Sequence, residues 1–372
     1  MQQLKTLIII LLAILSFSSV CIADGPGPEQ LNDGPYIFKV KDTFKVRWIE
    51  NGIYRKENLK PDNFPEIKKK FKLLFDYNDL ADTYNAKQEY RQVYSGGDSI
   101  SVISDIHGEY GFYIDLLKGM GIIDKNLNWN FGTGHLVVLG DVFDRGDMVT
   151  EALWHLFGLE KQAARAGGKV HVLLGNHEFL VLGNELKYTS NKYSKVESLM
   201  LTGYSDLYSE ESVLGRWLRS KPVMITIDDI LFVHGGISIE MVRRKLNAEK
   251  SNQIFSEKIV GKDSKTVNEN EELKFLSNDK GPLWYRGYFD DSKFCELKMD
   301  SIQTYFEVKH IVVGHTQCDV INTLFGSKVL GIDTGVMNEV PSEMLLIKEG
   351  TYYRGLASGD RIKLDTGPAS SR

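Results

Sequence analysis

The chain has 372 residues, of which 42% are hydrophobic and 26% are charged, and this composition indicates an ordinary globular protein with enough sequence for a large core. The formal net charge of −5 at pH 7 leaves no basic footprint, so a nucleic-acid partner is not expected. No internal repeat or long low-complexity segment is visible in the sequence.

The first 23 residues have the layout of a secretory signal peptide. Lys5 precedes an aliphatic run over residues 7–15, and small residues occupy both recognition positions before Asp24. The run is too short for a comfortable membrane span of about 20 residues. We therefore expect cleavage before Asp24 and a secreted or periplasmic chain with no stable membrane insertion. An uncleaved anchor is the alternative, and lipidation of Cys21 is disfavoured because Val20 is a poor residue before a lipid-bearing cysteine.

Residues 24–98 are interpreted as a strand-rich lead-in with a Gly/Pro-rich start. The dipeptide Asn51-Gly52 separates two β-rich runs and supplies the positive φ angles of a tight turn. The sequence therefore predicts a β-hairpin in this part of the chain.

From residue 99 to residue 340 apolar strands alternate with helical segments, which predicts a catalytic domain of the α/β class. Helices are predicted over residues 110–120 and 149–166, and Gly167 follows the second as its stop signal. The predicted strands are residues 99–103, 135–139, 170–174, 223–227, 230–233, 308–313 and 329–332.

Three further segments of the sequence differ in composition from the alternating strands and helices. Residues 187–212 are a polar, Tyr-rich insertion, which we assign to packing rather than to recognition. Residues 246–280 are charged and poorly periodic, so they are predicted to form a surface loop or cap. Residues 341–372 are expected to contain closing strands and a flexible tail.

Metal-capable residues stand at the ends of five separate predicted strands, each next to a glycine. They are Asp105, His107, Asp141, Asn176, His177, His234 and His315. Open α/β sheets place their ligand crevices at the C-terminal ends of strands. Helix capping explains one such Asp or Asn, and core packing explains one His, but neither explains repetition at five ends. We therefore expect these side chains to form one site.

Carboxylate, amide and imidazole ligands together suit Mn, Fe or Zn better than a calcium site made of oxygen ligands alone. The ligands are too many for one catalytic metal with an open position, and two metals that share a carboxylate account for the number. Cys295 and Cys318 lack the spacing of a thiolate site, and whether they form a disulfide stays open. Arg145 suits a phosphate, which its planar fork can hold through two hydrogen bonds.

The order of these motifs along the chain carries a family resemblance. The motifs are DIHG at 105–108, GDVFDRG at 140–146, GNHE at 175–178, HGG at 234–236 and GHT at 314–316. Together they resemble the phosphoprotein phosphatase branch of the calcineurin-like metallophosphoesterases, over about residues 99–336. Residues 281–287 (GPLWYRG) and 214–220 (LGRWLRS) further resemble its bacterial and Shewanella-like branch. Ser104 replaces the usual glycine before the first aspartate, a small change.

The resemblance implies a four-layer α/β/β/α sandwich, with two mixed β-sheets flanked by helices, and a role for each matched residue. The implied metal ligands are Asp105 and His107 for the first ion, Asp141 as the bridge, and Asn176, His234 and His315 for the second. The other implied roles are His177 as the general acid, Asp144 as the residue that orients it, and Arg145 and Arg286 as phosphate-binding residues, with Arg216 as the alternative to Arg286.

The implied activity is hydrolysis of phosphomonoesters in phosphorylated proteins or peptides, by direct attack of a hydroxide that bridges two divalent metal ions. Phosphotyrosine and phosphoserine or phosphothreonine remain open as substrates. One alternative is a hydrolase of dinucleoside polyphosphates or other small phosphoesters. A catalytically inactive phosphoprotein-binding module is another, and the intact set of ligands argues against it. A purple acid phosphatase is disfavoured because residues 143–145 lack that family's tyrosine ligand.

Four histidines miss every motif position and lie in or before apolar segments, so a structural role is expected for them. They are His135, His155, His171 and His310.

Overall fold

The computed structural model describes residues 30–96, 99–335 and 342–365. The expected signal peptide, residues 1–23, and the last part of the expected tail lie outside these residues. No helix within the described ranges is long and apolar enough to cross a membrane.

The strands of the described chain form three sheets. They are β1 (Asp33–Val40), β2 (Thr43–Glu50), β3 (Ile53–Leu59), β4 (Val93–Tyr94), β5 (Ser99–Ile103), β6 (His135–Val138), β7 (Lys169–Val172), β8 (Met224–Ile227), β9 (Ile230–Val233), β10 (His310–Val313), β11 (Asn322–Leu324), β12 (Val329–Gly331), β13 (Glu343–Lys348), β14 (Thr351–Leu356) and β15 (Arg361–Lys363).

The helices lie between these strands. They are α1 (Phe64–Phe71), α2 (Tyr77–Asn85), α3 (Tyr110–Gly119), α4 (Val149–Ala166), α5 (Asn176–Leu182), α6 (Asn191–Met200), α7 (Val213–Arg219), α8 (Ile239–Arg243), α9 (Ala248–Ile254), α10 (Ser264–Asn268), α11 (Glu271–Leu276), α12 (Gly287–Asp290) and α13 (Glu296–Phe306). Helix α4 has the predicted bounds, and Gly167 ends it in the left-handed conformation with a φ of 83°.

Two six-stranded mixed sheets form the centre of the fold. Their strand orders are β15-β14-β13-β5-β6-β7 and β11-β12-β10-β9-β8-β4. Alternate residues along β6 and just after it pack into two different cores. Val137 and Leu139 belong to the apolar layer between the sheets, whereas Leu136 and Val138 belong to the core shared with the helices. The predicted sandwich of two mixed sheets flanked by helices is therefore confirmed.

The lead-in contains the predicted hairpin as β2 and β3, with positive φ angles at Asn51 and Gly52. It also contains α1 and α2, which the strand-rich interpretation missed. It packs on α4, where Trp154 donates its indole N–H to the carbonyl of Pro35 at 2.7 Å and stacks on Phe75. Strand β4 joins one of the two central sheets beside β8.

Most of the segment at residues 246–280 is helical, so of the two expectations for it, a surface loop or a cap, the loop is wrong. The segment comprises α9, a π-helical turn at Phe255–Ile259, α10 and α11. Side chains of Asn247 and Asp263 cap two of these helices, and Ile254 and Phe275 are buried. Helices of five to seven residues are too short to show a helical period in the sequence.

Candidate active site

The strand ends named above meet at one edge of the two sheets. Parallel pairing of β5 with β6, of β6 with β7, and of β9 with β10 brings their C-terminal ends side by side. The loops after them deliver every metal-capable residue that the sequence analysis singled out. Together with Arg145 and Arg286, most of these residues line one cavity of about 260 Å³.

Several of these residues have a left-handed backbone, which is uncommon for residues with a side chain and costs roughly 1 kcal/mol or more each. They are Asp105 (φ 54°), His107 (46°), Asp141 (56°), Asp144 (69°), Arg145 (65°) and His315 (62°). Such strain concentrated in one cavity is typical of a functional site.

Two glycines let the loops after β6 and β7 approach closely. Gly140 has a φ of 100°, and a Cβ atom there would lie 2.2 Å from the backbone nitrogen of Gly175. A Cβ atom at Gly175 would lie 2.2 Å from Oδ1 of Asp141. Neither position accommodates a larger residue without movement of the Asp141 loop.

Asp141 lies at the centre of the site. Its Oδ2 atom is 3.7 Å from His107 Nε2, 3.3 Å from His234 Nε2 and 3.8 Å from His177 Nε2. Two groups of side chains have ligand atoms close enough to hold a metal ion, and Asp141 belongs to both: one group adds His107 and His177, the other His234 and His315. A carboxylate shared by two groups suits a pair of neighbouring metal ions.

Two remaining candidates extend these groups. Asp105 Oδ1 lies 3.8 Å from His107 Nε2, and Asn176 Oδ1 lies 2.9 Å from His234 Nε2. All six ligands implied by the resemblance therefore lie at one site.

The donor atoms fit divalent ions. His107 and His234 donate Nδ1–H to the carbonyls of Phe143 and Leu139, at 2.8 and 2.9 Å, so their Nε2 lone pairs face the centre. His315 Nε2 is buried and has no hydrogen-bond partner among the described residues. A bound cation would satisfy that atom.

The electrostatics of the site also favour a cation. Burial, together with the charges of Asp333 and Asp141, raises the pKa of Asp105 to about 8. Burial lowers the pKa of His234, but the carboxylates of Asp141 and Asp105 outweigh it and raise that pKa to about 9. Buried carboxylates therefore attract protons here, and a divalent ion would supply the positive charge instead.

His177 pairs with Asp144, whose Oδ2 lies 2.6 Å from His177 Nδ1. Burial lowers the pKa of His177, but Asp141 and Asp144 more than offset it and raise the pKa above its usual value. His177 Nε2 lies 3.8 Å from Asp141 Oδ2, and His107 Nε2 lies 3.7 Å from the same atom. These distances are compatible with His177 as a general acid or as a third ligand. Both roles use the same orientation by Asp144.

Glu178 holds the Asp141 loop, a role that the sequence analysis did not assign. Its buried carboxylate accepts hydrogen bonds from the backbone N–H groups of Gly175, Asp141, Val142 and Phe143, at 2.7 to 3.3 Å. This side chain ties the loop after β6 to the start of α5.

The two arginines expected at the phosphate line the cavity, and Arg286 donates to the carbonyl of His315 at 2.7 Å. Arg216, the alternative to Arg286, lies on α7 and does not line the cavity. The alternative is therefore wrong. Trp284 and Arg286 also line a second, more open groove of about 490 Å³.

The cavity contains four residues that were not singled out individually from the sequence: Tyr188, Trp284, Gln317 and Asp333. Tyr188 is 43% exposed, and its ring centroid lies 5.2 Å from that of His177. The Trp284 ring lies edge-on to the His315 ring, with 5.8 Å between their centroids. Tyr188 is an exception in the Tyr-rich insertion, where Tyr193, Tyr204 and Tyr208 are buried in the core as predicted. Asp333 follows β12 and carries the same signal, an acid after an apolar strand, as Asp105 does.

The remaining histidines and cysteines lie outside the site. His135 and His171 contact each other at 3.1 Å, His155 bonds Tyr113 and the Leu127 carbonyl, and His310 bonds the Ser327 carbonyl. The structural role expected for these histidines is confirmed. Cys295 and Cys318 are free thiols.

The class of protein follows from similarity to known proteins. Residues 99–319 match the calcineurin-like phosphoesterase family, so the chain belongs to that family and is a metal-dependent phosphoesterase. The resemblance to its Shewanella-like branch is also confirmed.

Three relatives are informative. The crystal structure of a cold-active protein-tyrosine phosphatase from a psychrophilic Shewanella species superposes with a TM-score of 0.81 at 34% identity, covering 90% of this chain and 99% of that one. Shewanella-like protein phosphatase 1 of Plasmodium berghei is 27% identical over 81% of this chain and 83% of its own length. Shewanella-like protein phosphatase 2 of Arabidopsis thaliana is 24% identical over 64% of this chain and 71% of its own.

Proposed function

We propose that this chain is a protein phosphatase that uses two divalent metal ions (Mn, Fe or Zn) and prefers phosphotyrosine. The observation that carries the proposal is the shared position of Asp141 in two ligand groups beside the His177–Asp144 pair. The similarity to phosphatases of the Shewanella-like branch supports a phosphorylated protein or peptide as the substrate.

The residues assigned to the metals are those that the family resemblance implies, with His177 of the first group kept as the acid. They are Asp105 and His107 for one ion, Asp141 for both, and Asn176, His234 and His315 for the other. Divalent ions bound here supply Lewis-acid chemistry, which makes water a nucleophile at neutral pH and offsets the charge on a phosphoryl group.

The remaining steps belong to side chains of the chain itself. Arg145 and Arg286 hold the phosphate oxygens through charge-assisted hydrogen bonds and orient the ester for in-line attack. His177 donates a proton from Nε2 to the leaving oxygen, and Asp144 fixes the ring through Nδ1.

Tyr188 supports the preference for phosphotyrosine. It stands beside His177, the proposed acid, so it faces the side of the cavity where the leaving group lies. An aromatic leaving group can stack on this ring, whereas the short side chain of serine offers little surface for that contact. The similarity to the protein-tyrosine phosphatase of the Shewanella species supports this assignment.

The test compares three kinds of substrate on one metal-loaded preparation: a phosphotyrosine peptide, the same peptide with phosphoserine, and a dinucleoside polyphosphate. We expect turnover of both peptides, with kcat/KM higher for phosphotyrosine by about tenfold or more. Higher kcat/KM for the dinucleotide would indicate the small-phosphoester hydrolase instead. Binding of phosphopeptides without turnover at any metal composition would indicate an inactive binding module.

We also propose that the chain is secreted or periplasmic, on the strength of residues 1–23. Expression with the natural leader, followed by N-terminal sequencing of the exported protein, should find a mature start at or near Asp24. Exported protein that still begins at Met1 would contradict cleavage and favour the membrane anchor.

A further inference from the structure

Residues 188–193 (YTSNKY), here called the clasp, run along the loop that carries Asp144 and Arg145. We propose that Thr189 in this clasp is a positioning residue for protonation of the leaving group, because it fixes the carboxylate that orients His177. This inference rests on the proposed function and adds a residue to it.

The central contact is a chain of two hydrogen bonds. Thr189 Oγ1 donates to Asp144 Oδ1 at 2.9 Å, and the other oxygen, Oδ2, lies 2.6 Å from His177 Nδ1. Both oxygens of one carboxylate are therefore engaged, which prevents rotation about its terminal bond. Asp144 is fully buried, so water cannot replace the Thr189 hydroxyl without a change in packing.

The clasp is attached to the loop at two further points, both of which follow Asp144 in the chain. The backbone N–H of Arg145 donates to the carbonyl of Tyr188 at 3.0 Å. Further along, Lys192 Nζ and the Tyr193 hydroxyl both donate to the carbonyl of Asp147, at 2.5 and 3.1 Å. One backbone hydrogen bond and two side chains of the clasp thus fix the position of Thr189 relative to Asp144.

A buried ion pair joins the clasp to the lead-in. Lys192 Nζ lies 2.7 Å from Oδ1 of Asp33 in β1, and the two side chains are 9% and 0% exposed. Burial lowers the pKa of Lys192, but Asp33 and Glu151 outweigh this effect and raise the pKa above its usual value, so the lysine stays charged. The lead-in therefore contributes to the rigidity of the clasp.

Among the described residues the Thr189 hydroxyl bonds Asp144, which is not one of the proposed metal ligands, so we expect its effect on catalysis to run through Asp144. A purely structural threonine would, when replaced, alter turnover of every substrate in the same proportion. A threonine that orients the acid matters most when the leaving oxygen needs a proton. The two roles therefore differ in their dependence on the leaving group.

The experiment uses two aryl substrates of similar shape, a phosphotyrosine peptide and p-nitrophenyl phosphate. Tyrosine leaves as a strong base, with a pKa of about 10 for its phenol, whereas p-nitrophenolate is a much weaker base and needs little protonation. The variants are Thr189→Val, which keeps the shape and removes the hydroxyl, and Thr189→Ser, which keeps the hydroxyl. Metal content and Tm are measured for each.

We expect Thr189→Val to lower kcat on the phosphotyrosine peptide by about five- to tenfold and kcat on p-nitrophenyl phosphate by less than about twofold. Thr189→Ser should restore the ratio of the two kcat values to that of the wild type, and metal content should not change. Equal losses on both substrates, or no loss on either, would overturn the proposal. Thr189→Ala gives the same readout if the valine variant does not fold. A wild-type protein that turns over neither phosphomonoester would instead contradict the proposed function.

Discussion

At the scale of the residue, Asp141 shows why the site needs its unusual surroundings. Its carboxylate is buried, belongs to both groups of ligands and accepts a hydrogen bond from the backbone N–H of His177 through Oδ1 at 2.9 Å. Burial alone would raise its pKa, but the His234 and His177 rings outweigh burial and hold the pKa well below its usual range. The residue therefore stays ionised and available as a bridge.

We predict that Asp141→Asn removes activity and metal together, because one carboxylate serves both ions. The expected loss of kcat is about 10³-fold or more, with fewer than two metal ions bound per chain. Turnover and metal analysis on the same preparation test this. Asp62→Asn, an exposed carboxylate in the lead-in, is the matched control and should change neither quantity. Two ions per chain in an inactive Asp141 variant would contradict the bridging role.

His177 can be tested for the two roles that its distances admit. As a general acid, it should contribute about 10²- to 10⁴-fold to turnover of phosphotyrosine and much less to that of p-nitrophenyl phosphate. We therefore expect His177→Asn to keep both metals and to lose activity in that unequal pattern. A missing metal in this variant would identify His177 as a ligand.

The sequence identified the residues that follow directly from a strand end, and it missed those that reach the cavity by folding back. Asp105 and His315 could be predicted as site residues because each one follows a short apolar strand and has a glycine nearby in the sequence. Tyr188 and Trp284 come from an insertion and a loop whose course depends on tertiary packing. Asp333 was readable in principle, but β12 has only three residues and its pattern is weak.

At the scale of the element, the site depends on how closely the loops after β6 and β7 approach each other. Gly140 permits this approach because its backbone is left-handed and it has no side chain. The neighbouring backbone of Gly175 leaves no space for a Cβ atom there. Gly121 has a similar φ of 74° but no heavy atom within 4 Å of an added Cβ atom. Substitution of Gly121 therefore reports backbone strain alone, whereas substitution of Gly140 adds a steric conflict.

We predict that Gly140→Ala lowers the free energy of unfolding by about 3 kcal/mol or more, whereas Gly121→Ala lowers it by about 1–2 kcal/mol. Urea unfolding of both variants gives the comparison. Gly140→Ala should also reduce bound metal, since relief of the conflict moves the Asp141 loop. Equal destabilisation by the two variants would mean that the loops can separate without cost.

The long helix with a clear hydrophobic period was predicted well, whereas the short helices were not. Helix α4 has 18 residues and a distinct stop signal, so its bounds could be read directly. The helices of residues 246–280 and the two helices of the lead-in have between five and nine residues. In these segments capping side chains and tertiary burial, rather than periodicity, determine the structure.

At the scale of the whole molecule, buried neutral histidines make stability depend on pH. His155 is 5% exposed, accepts a hydrogen bond from the Tyr113 hydroxyl at Nδ1, and donates Nε2–H to the Leu127 carbonyl. Burial lowers its pKa to about 4. In the unfolded chain the same ring titrates at about 6.5, so it takes up a proton there first as the pH falls.

The sign of the effect follows from this difference. Above pH 6.5 the ring is neutral in both states and stability is at its full value. Between pH 6.5 and pH 4 the unfolded chain binds the extra proton, so the free energy of unfolding falls by about 1.4 kcal/mol per pH unit through this residue, to a total of about 3 kcal/mol. Below pH 4 both states are protonated and this loss ends.

We therefore predict that the free energy of unfolding falls less with decreasing pH in His155→Gln than in the wild type. Glutamine can donate to Leu127 and accept from Tyr113 but does not titrate, so the variant lacks the contribution of His155. Urea unfolding from pH 7 to pH 4.5 in the presence of a chelator, which removes the separate effect of metal binding, measures the difference between the two proteins. That difference should shift in favour of the variant by about 1.4 kcal/mol per pH unit below pH 6.5. A difference that stays constant over this range would show that His155 is not neutral in the folded chain.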